Sequence, residues 1–264
     1  MRWWIRTVGV LALAAGLGAG CGRSRGGVTM AGSTAFQPFA EKLAEEFMRR
    51  HPEARVTVQG GGSAVGVQSA LSGTAQIGMA DLVELPPEAS ALYSVVVARD
   101  GIAVVVHPTN PVNNLTLDQV RDIFNGRIRN WREVGGADAP ITVVSREAGS
   151  GTRSSFEQVL RNVVLTRDAL IGDSNGAIRE TVANDAQAIG YLSHGLLSEK
   201  IKALDVGGAG CTTEAILAGR YPLVRPIYLL TRGEPAGTAR ELIDFILSAE
   251  GQKIIRDSGL IPAR

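Results

Sequence analysis

The chain has little of several things that would settle its function at once. Its 264 residues include only two cysteines, Cys21 and Cys211, and three histidines, His51, His107 and His194. Their spacing matches no metal site, and none of the histidines falls in a glycine-rich turn. Charge of one sign is missing too. There are 27 basic and 26 acidic side chains, or 25 and 26 once residues 1–20, with Arg2 and Arg6 and no acid, are set aside. No basic field recommends a nucleic-acid partner. Long apolar runs are short of what a membrane needs: Val8–Gly20 has 13 residues, against roughly 20 for a spanning helix. The turn GGGSAVG at 60–66 fails the dinucleotide pattern, and Asp81 does not follow it in the expected context. Neither Ser63 nor Ser150 lies in GxSxG, which argues against a secreted serine hydrolase built on either.

What the chain does have is glycine, 32 residues of it, in an otherwise ordinary composition of 45% hydrophobic and 20% charged residues. The glycines gather in strand-to-helix turns. That pattern points to an α/β protein whose backbone closely approaches a ligand. The N-terminus reads as an export signal, residues 1–20: a charged start, an apolar run and small residues leading to Cys21. Leu17-Gly18-Ala19-Gly20-Cys21 resembles the lipobox of bacterial lipoproteins, with the leucine one place further from the cysteine than usual. It implies a lipidated Cys21, a tether over 21–27, and a protein at the extracytoplasmic face of the cell membrane or in the periplasm. Cys211 then has no partner and reads as a small buried hydrophobe.

The centre of the chain is Ser145–Thr152. An apolar strand over 141–144 delivers Arg146, and the turn Gly149-Ser150-Gly151-Thr152 opens a helix with Phe156, Val159, Leu160 and Val163 on its apolar face. Unpaired amides at a helix N-terminus, two hydroxyls and a guanidinium fork suit a tetrahedral oxyanion. Two more turns of this kind precede it. The strand at 28–33 ends in Ser33-Thr34, placed to cap a helix bearing Phe36, Phe39, Leu43 and Phe47, with Pro38 in its first turn. The strand at 55–59 leads to Gly60–Ser63 and a short helix, and a third strand, 77–80, ends at Asp81.

Further on, two apolar runs, 94–98 and 102–107, flank Arg99-Asp100-Gly101, and suit strands buried on both faces or one strand crossing between lobes. Helices are expected over 115–124, 175–183, 213–218, 236–247 and 250–257, and strands over 188–193, 200–206 and 225–231. The chain thus leaves a first lobe near 105 and re-enters it near 225. Two crossings make two lobes, 28–104 with 225–264 and 105–224, around a cleft.

Ala31-Gly32-Ser33-Thr34-Ala35-Phe36, Gln59–Ser63, Gly78–Asp81 and Arg146–Thr152 resemble, in order and spacing, the binding loops of PstS-type phosphate-binding proteins of bacterial ABC importers. The segments IFNGRIRNWREVGG, Ala188–Tyr191 and Tyr221–Pro226 are similar to the same family. The resemblance implies a type II periplasmic-binding-protein fold that closes on inorganic phosphate and delivers it to the permease subunits of the importer, with no catalysis, cofactor or metal. It assigns hydroxyl bonds to Thr34 and Ser63, an acceptor to Asp81, charge to Arg146, and hydroxyl or amide contacts to Ser150, Gly151 and Thr152. Ala35, where some relatives carry an aromatic, keeps its backbone N–H, and Ser33 can replace part of the lost contact.

Asp81 separates phosphate from its nearest rivals. A carboxylate repels an anion unless the anion brings a hydrogen-bond donor. Phosphate keeps at least one P–O–H near neutral pH, whereas sulfate has none, and a donor-seeking site can reject such an analogue by roughly 10⁴-fold. Arsenate, which is also protonated, stays open as an alternative, as does a phosphate sensor or scavenger without a transporter.

Overall fold

The computed structural model describes residues 27–263. The export signal, Cys21 and the tether up to residue 26 lie outside the described residues. In chain order the elements are β1 (Val28–Gly32), α1 (Gln37–Arg50), β2 (Val56–Gln59), α2 (Ser63–Ser72), β3 (Ile77–Asp81), β4 (Tyr93–Val106), β5 (Asn114–Leu115), α3 (Leu117–Phe124), β6 (Thr142–Arg146) and α4 (Gly151–Leu160). They continue with β7 (Leu170–Gly172), α5 (Asn175–Asn184), β8 (Ala188–Ser193), β9 (Lys202–Ala203), β10 (Asp205–Val206), α6 (Thr213–Leu217), β11 (Val224–Thr231), α7 (Gly237–Leu247), α8 (Ala249–Asp257) and β12 (Ile261–Pro262).

The main sheet runs β2-β1-β3-β11-β4-β8-β6-β7. β1 is parallel to β2 and β3, and β6 is parallel to β8 and β7, so each end of the sheet is a parallel α/β layer. β11 and β4, antiparallel to each other, join the two ends. β4 is one 14-residue strand through Arg99-Asp100-Gly101: its first half pairs with β11 and its second, Ile102–Val106, with β8. The core divides at the same place. Val97 and Ala98 pack with Met30, Phe39, Leu43, Leu242 and Ile255, whereas Ile102–Val106 pack with Trp131, Phe156, Tyr191 and Leu223. On the return, Val224 packs on the second core and Ile227 belongs to the first. The molecule is therefore a two-lobed α/β protein.

Local chemistry explains the elements nearest the cleft. α1 buries Phe39, Ala40, Leu43, Ala44 and Phe47 on one face, carries Pro38 where its missing N–H costs nothing, and ends in Arg49 and Arg50, which suit the negative end of the dipole. α3 begins in a reciprocal capping box, Thr116 Oγ1 accepting the Gln119 N–H at 3.1 Å and Gln119 Oε1 accepting the Thr116 N–H at 2.9 Å. The expected strand over 200–206 is two short strands in different sheets, because Leu204 between them turns inward and its N–H bonds Val104 O at 2.8 Å. Trp131 is core, its Nε1–H donating to Gln187 O at 3.0 Å.

Candidate oxyanion site

The strands β1, β2, β3 and β6 deliver their loops to one cleft from their carboxyl ends, where ligands of open parallel sheets bind. Backbone bonds lock the loops together. Gly62 N–H donates to Gly32 O at 2.9 Å and Ser33 N–H to Met79 O at 2.9 Å. Across the cleft, Ala64 N–H donates to Gly149 O at 3.2 Å, so the lobes touch. Gly62, with φ +88°, is where this approach needs glycine: a Cβ there would lie 2.6 Å from Gly149 O.

Asp81 is the buried hub. Its Oδ1 accepts the Ser63 hydroxyl at 2.6 Å, and the Asp81 N–H returns a bond to Ser63 Oγ at 3.0 Å. Its Oδ2 accepts from Thr152 Oγ1 at 3.3 Å and lies 2.6 Å from Arg225 Nη1. Ser155 Oγ, one turn into α4, donates to Asp81 O at 3.2 Å and accepts the Val83 N–H at 3.1 Å. Behind Arg225 stands Asp100, whose Oδ2 is 2.8 Å from Arg225 Nη2 and whose Oδ1 accepts from Ser193 Oγ at 2.9 Å. Burial pushes the Asp100 carboxyl above the usual aspartate range, the paired Arg225 and Ser193 oppose this, and the nearby Asp81 charge adds to it.

Arg146 is buried on the opposite side of the cleft. Its Nε and Nη2 form a fork with Glu147 at 2.9 and 2.8 Å, and Nη2 also donates to Thr34 Oγ1 at 3.0 Å. Its main-chain N–H donates to Tyr191 OH at 3.3 Å, and that hydroxyl lies 2.8 Å from Ser145 Oγ. Burial raises the Tyr191 phenol to about 12, keeping it a neutral hydrogen-bond partner. The remaining nitrogen, Arg146 Nη1, is inaccessible and has no hydrogen-bond partner among the described residues. A buried guanidinium N–H without an acceptor is costly, and an anionic oxygen is the kind of acceptor that would satisfy it.

The structure brings Thr34, Ser63, Asp81, Arg146, Gly151 and Thr152 together, with several contacts other than those expected. The Ser63 and Thr152 hydroxyls point at Asp81. Ser150 caps α4, its Oγ accepting the Arg153 N–H at 3.2 Å. Ser33 and Thr34 do not cap α1 directly: Phe36 holds the cap position, Ser33 Oγ accepts the Phe36 N–H at 3.0 Å, and Thr34 turns to Arg146. Ala35, between Thr34 and Phe36, is buried. Cys211 is buried and free, and burial holds its thiol well above the usual range.

Sequence reasoning missed Arg225, Asp100, Ser193 and Asn175. A signal existed: Asp100 and Arg225 are charges of opposite sign set in largely apolar strands. It also passed over Gly172-Asp173-Ser174-Asn175-Gly176, which has the spacing of a hydrolase nucleophile turn. Ser174 Oγ there accepts the Ala177 N–H at 3.1 Å as the cap of α5. The histidine contacts lie elsewhere, to Glu53 for His51, to Thr109 for His107 and to Gly259 O for His194.

Comparison with known proteins gives the same reading. A family model described as a PBP superfamily domain matches residues 18–250. The phosphate-binding protein PstS of Bacillus subtilis is 35% identical over 245 residues, covering 91% of this chain and 82% of the relative. The chain belongs to the PstS-type family. Among solved structures, one from Clostridium perfringens, described as a phosphate ABC transporter substrate-binding protein with bound phosphate, superposes with a TM-score of 0.87 at 38% identity, covering 90% of this chain and all of that one. An ABC-type phosphate transport receptor from Vibrio cholerae gives 0.76 at 37%, covering 89% and 99%. PstS-type proteins are receptors, not enzymes.

Proposed function

We propose that this protein binds inorganic phosphate in the cleft between its lobes and hands it to the permease of an ABC importer. The observation that carries the reading is the buried Nη1 of Arg146, a cationic donor without an acceptor among the described residues, on the residue that ends β6 where the chain turns into α4. The named relatives, one of them solved with phosphate, support the same ligand. In this reading Arg146, Thr34, Ser150, Gly151 and Thr152, with the turn Ser33-Thr34-Ala35, enclose the anion, while Asp81, held by Ser63, accepts from its P–O–H. Lobes over 28–104 with 225–264 and over 105–224 close about the crossings in β4 and β11. The receptor works outside the cytoplasm, and we propose that acylation of Cys21 tethers it to the membrane.

The experiment is calorimetric titration of purified protein, freed of bound anion by partial unfolding and dialysis, with phosphate and separately with sulfate near neutral pH. Tight phosphate binding without sulfate heat supports the reading. Equal binding of both makes the protein a general oxyanion receptor, and binding of neither overturns it. Mass measurement of the mature protein from its membrane fraction tests the acyl group on Cys21.

A further inference from the structure

Two buried charges of opposite sign, Asp100 and Arg225, sit in the strands that cross between the lobes. Asp100 lies in β4 between two apolar runs, Arg225 stands near the start of β11, and the two are partners in the sheet register. Both are fully buried. Arg225 divides its fork: Nη2 meets Asp100 Oδ2 at 2.8 Å and Nη1 meets Asp81 Oδ2 at 2.6 Å. Ser193, at the end of β8, donates its hydroxyl to Asp100 and its N–H to Asn175 Oδ1 at 3.1 Å. The contacts therefore run from Asp81 in the first lobe, through both crossing strands, to β8 and α5 in the second.

We infer that Arg225, braced by Asp100, is a positioning residue that sets anion selectivity by holding the Asp81 carboxylate as a fixed hydrogen-bond acceptor. The inference rests on the phosphate reading. Each carboxylate oxygen can accept two hydrogen bonds. With Oδ1 accepting from Ser63, Oδ2 accepting from Thr152 and the Arg225 charge 2.6 Å from Oδ2, the carboxyl group is held in place and acceptor capacity remains for the ligand. Guanidinium suits the position because one planar fork reaches two carboxylates at once. Without it, Asp81 and Asp100 are two buried acids that have lost their shared cation, and proton uptake by either relieves the repulsion. A protonated Asp81 is a donor, which sulfate can use.

The test is a double-mutant cycle on the phosphate-to-sulfate affinity ratio, with Arg225→Gln and Arg225→Lys each made in the native protein and in Asp81→Asn, and folding checked by thermal melting. Arg225→Gln is expected to lower the ratio at least about tenfold when Asp81 is present and by under about threefold in the Asp81→Asn background, as coupled neighbours require. Arg225→Lys, which keeps the charge, should recover part of the ratio. A merely structural arginine would weaken both anions together in both backgrounds, and that result, or an unchanged ratio, overturns the inference. Should Arg225→Gln fail to fold, Arg225→Lys decides by the same cycle: its single point charge must lower the ratio by about threefold or more with Asp81 present and leave it unchanged in Asp81→Asn. Failure of the native protein to bind phosphate would instead remove the phosphate reading itself, so the two failures are distinct.

Discussion

Gly151 lies so close to Ser63 that a Cβ on it would sit 2.1 Å from Ser63 Oγ and 2.7 Å from Asp81 Oδ1. The two residues begin helices of opposite lobes, α4 and α2. Their close approach brings α4 and α2 together at the cleft and limits the room left for a ligand.

Gly151→Ala should therefore wedge the cleft. Overpacking of this kind costs about 1–3 kcal/mol, and because only the closed form suffers, the cost appears as weaker phosphate binding rather than as lower stability of the lobes. We expect an affinity loss of about tenfold or more, with a melting temperature close to native and a more open shape by small-angle scattering. Native affinity in this variant would mean that the ligand is bound without these loops meeting.

Asp81→Asn should erode the rejection of sulfate. The amide can donate a hydrogen bond that the carboxylate cannot, so the penalty of roughly 10⁴-fold open to a donor-seeking site falls, and the affinity ratio of the two anions falls with it. Competition calorimetry reads this directly, and unchanged selectivity would remove Asp81 from the discrimination.

Arg146→Lys keeps the charge but not the geometry. The fork on Glu147 and the bond to Thr34 use Nε and Nη2, and a single ammonium cannot hold those and also reach the ligand. A loss of about 2 kcal/mol in binding, or roughly thirtyfold in affinity, is expected by calorimetric titration.

The protein should lose stability in alkali. Burial raises the Cys211 thiol and the Tyr191 phenol, the latter to about 12, so the folded state keeps protons that the unfolded chain gives up. Stability is complete below the unfolded values of about 8.5 for cysteine and about 10 for tyrosine and falls as pH rises past each. Melting temperature measured from pH 7.5 to 10.5 should decline from about pH 8.5 upward. Cys211→Ala should delay that decline, and a flat profile would contradict it.

Much of this architecture was legible in one sequence. Helix phase, glycine-rich turns and caps depend on residues three or four places apart, so α1, α2, α4 and the loops at Ser33, Ser63 and Arg146 could be read locally, and their order matched a known family. The joining of 94–98 and 102–107 into one strand was less legible, because Arg99-Asp100-Gly101 reads as a break. The Asp100 charge there is met by Arg225, 125 residues away, and by the Ser193 hydroxyl.

Most of the elements, the candidate loops and the family could be read from the chain alone, since these rest on periodicity, turn chemistry and motif order. How the hydroxyls and charges are shared emerged with the three-dimensional packing. Ser63 and Thr152 serve Asp81, Ser150 serves its own helix, Thr34 serves Arg146, and Arg225 joins two acids at the lobe crossing. A buried charge or hydroxyl must find its partner within about 3 Å in whatever direction packing leaves open. That direction is set by strands distant in the chain, and no local pattern encodes it.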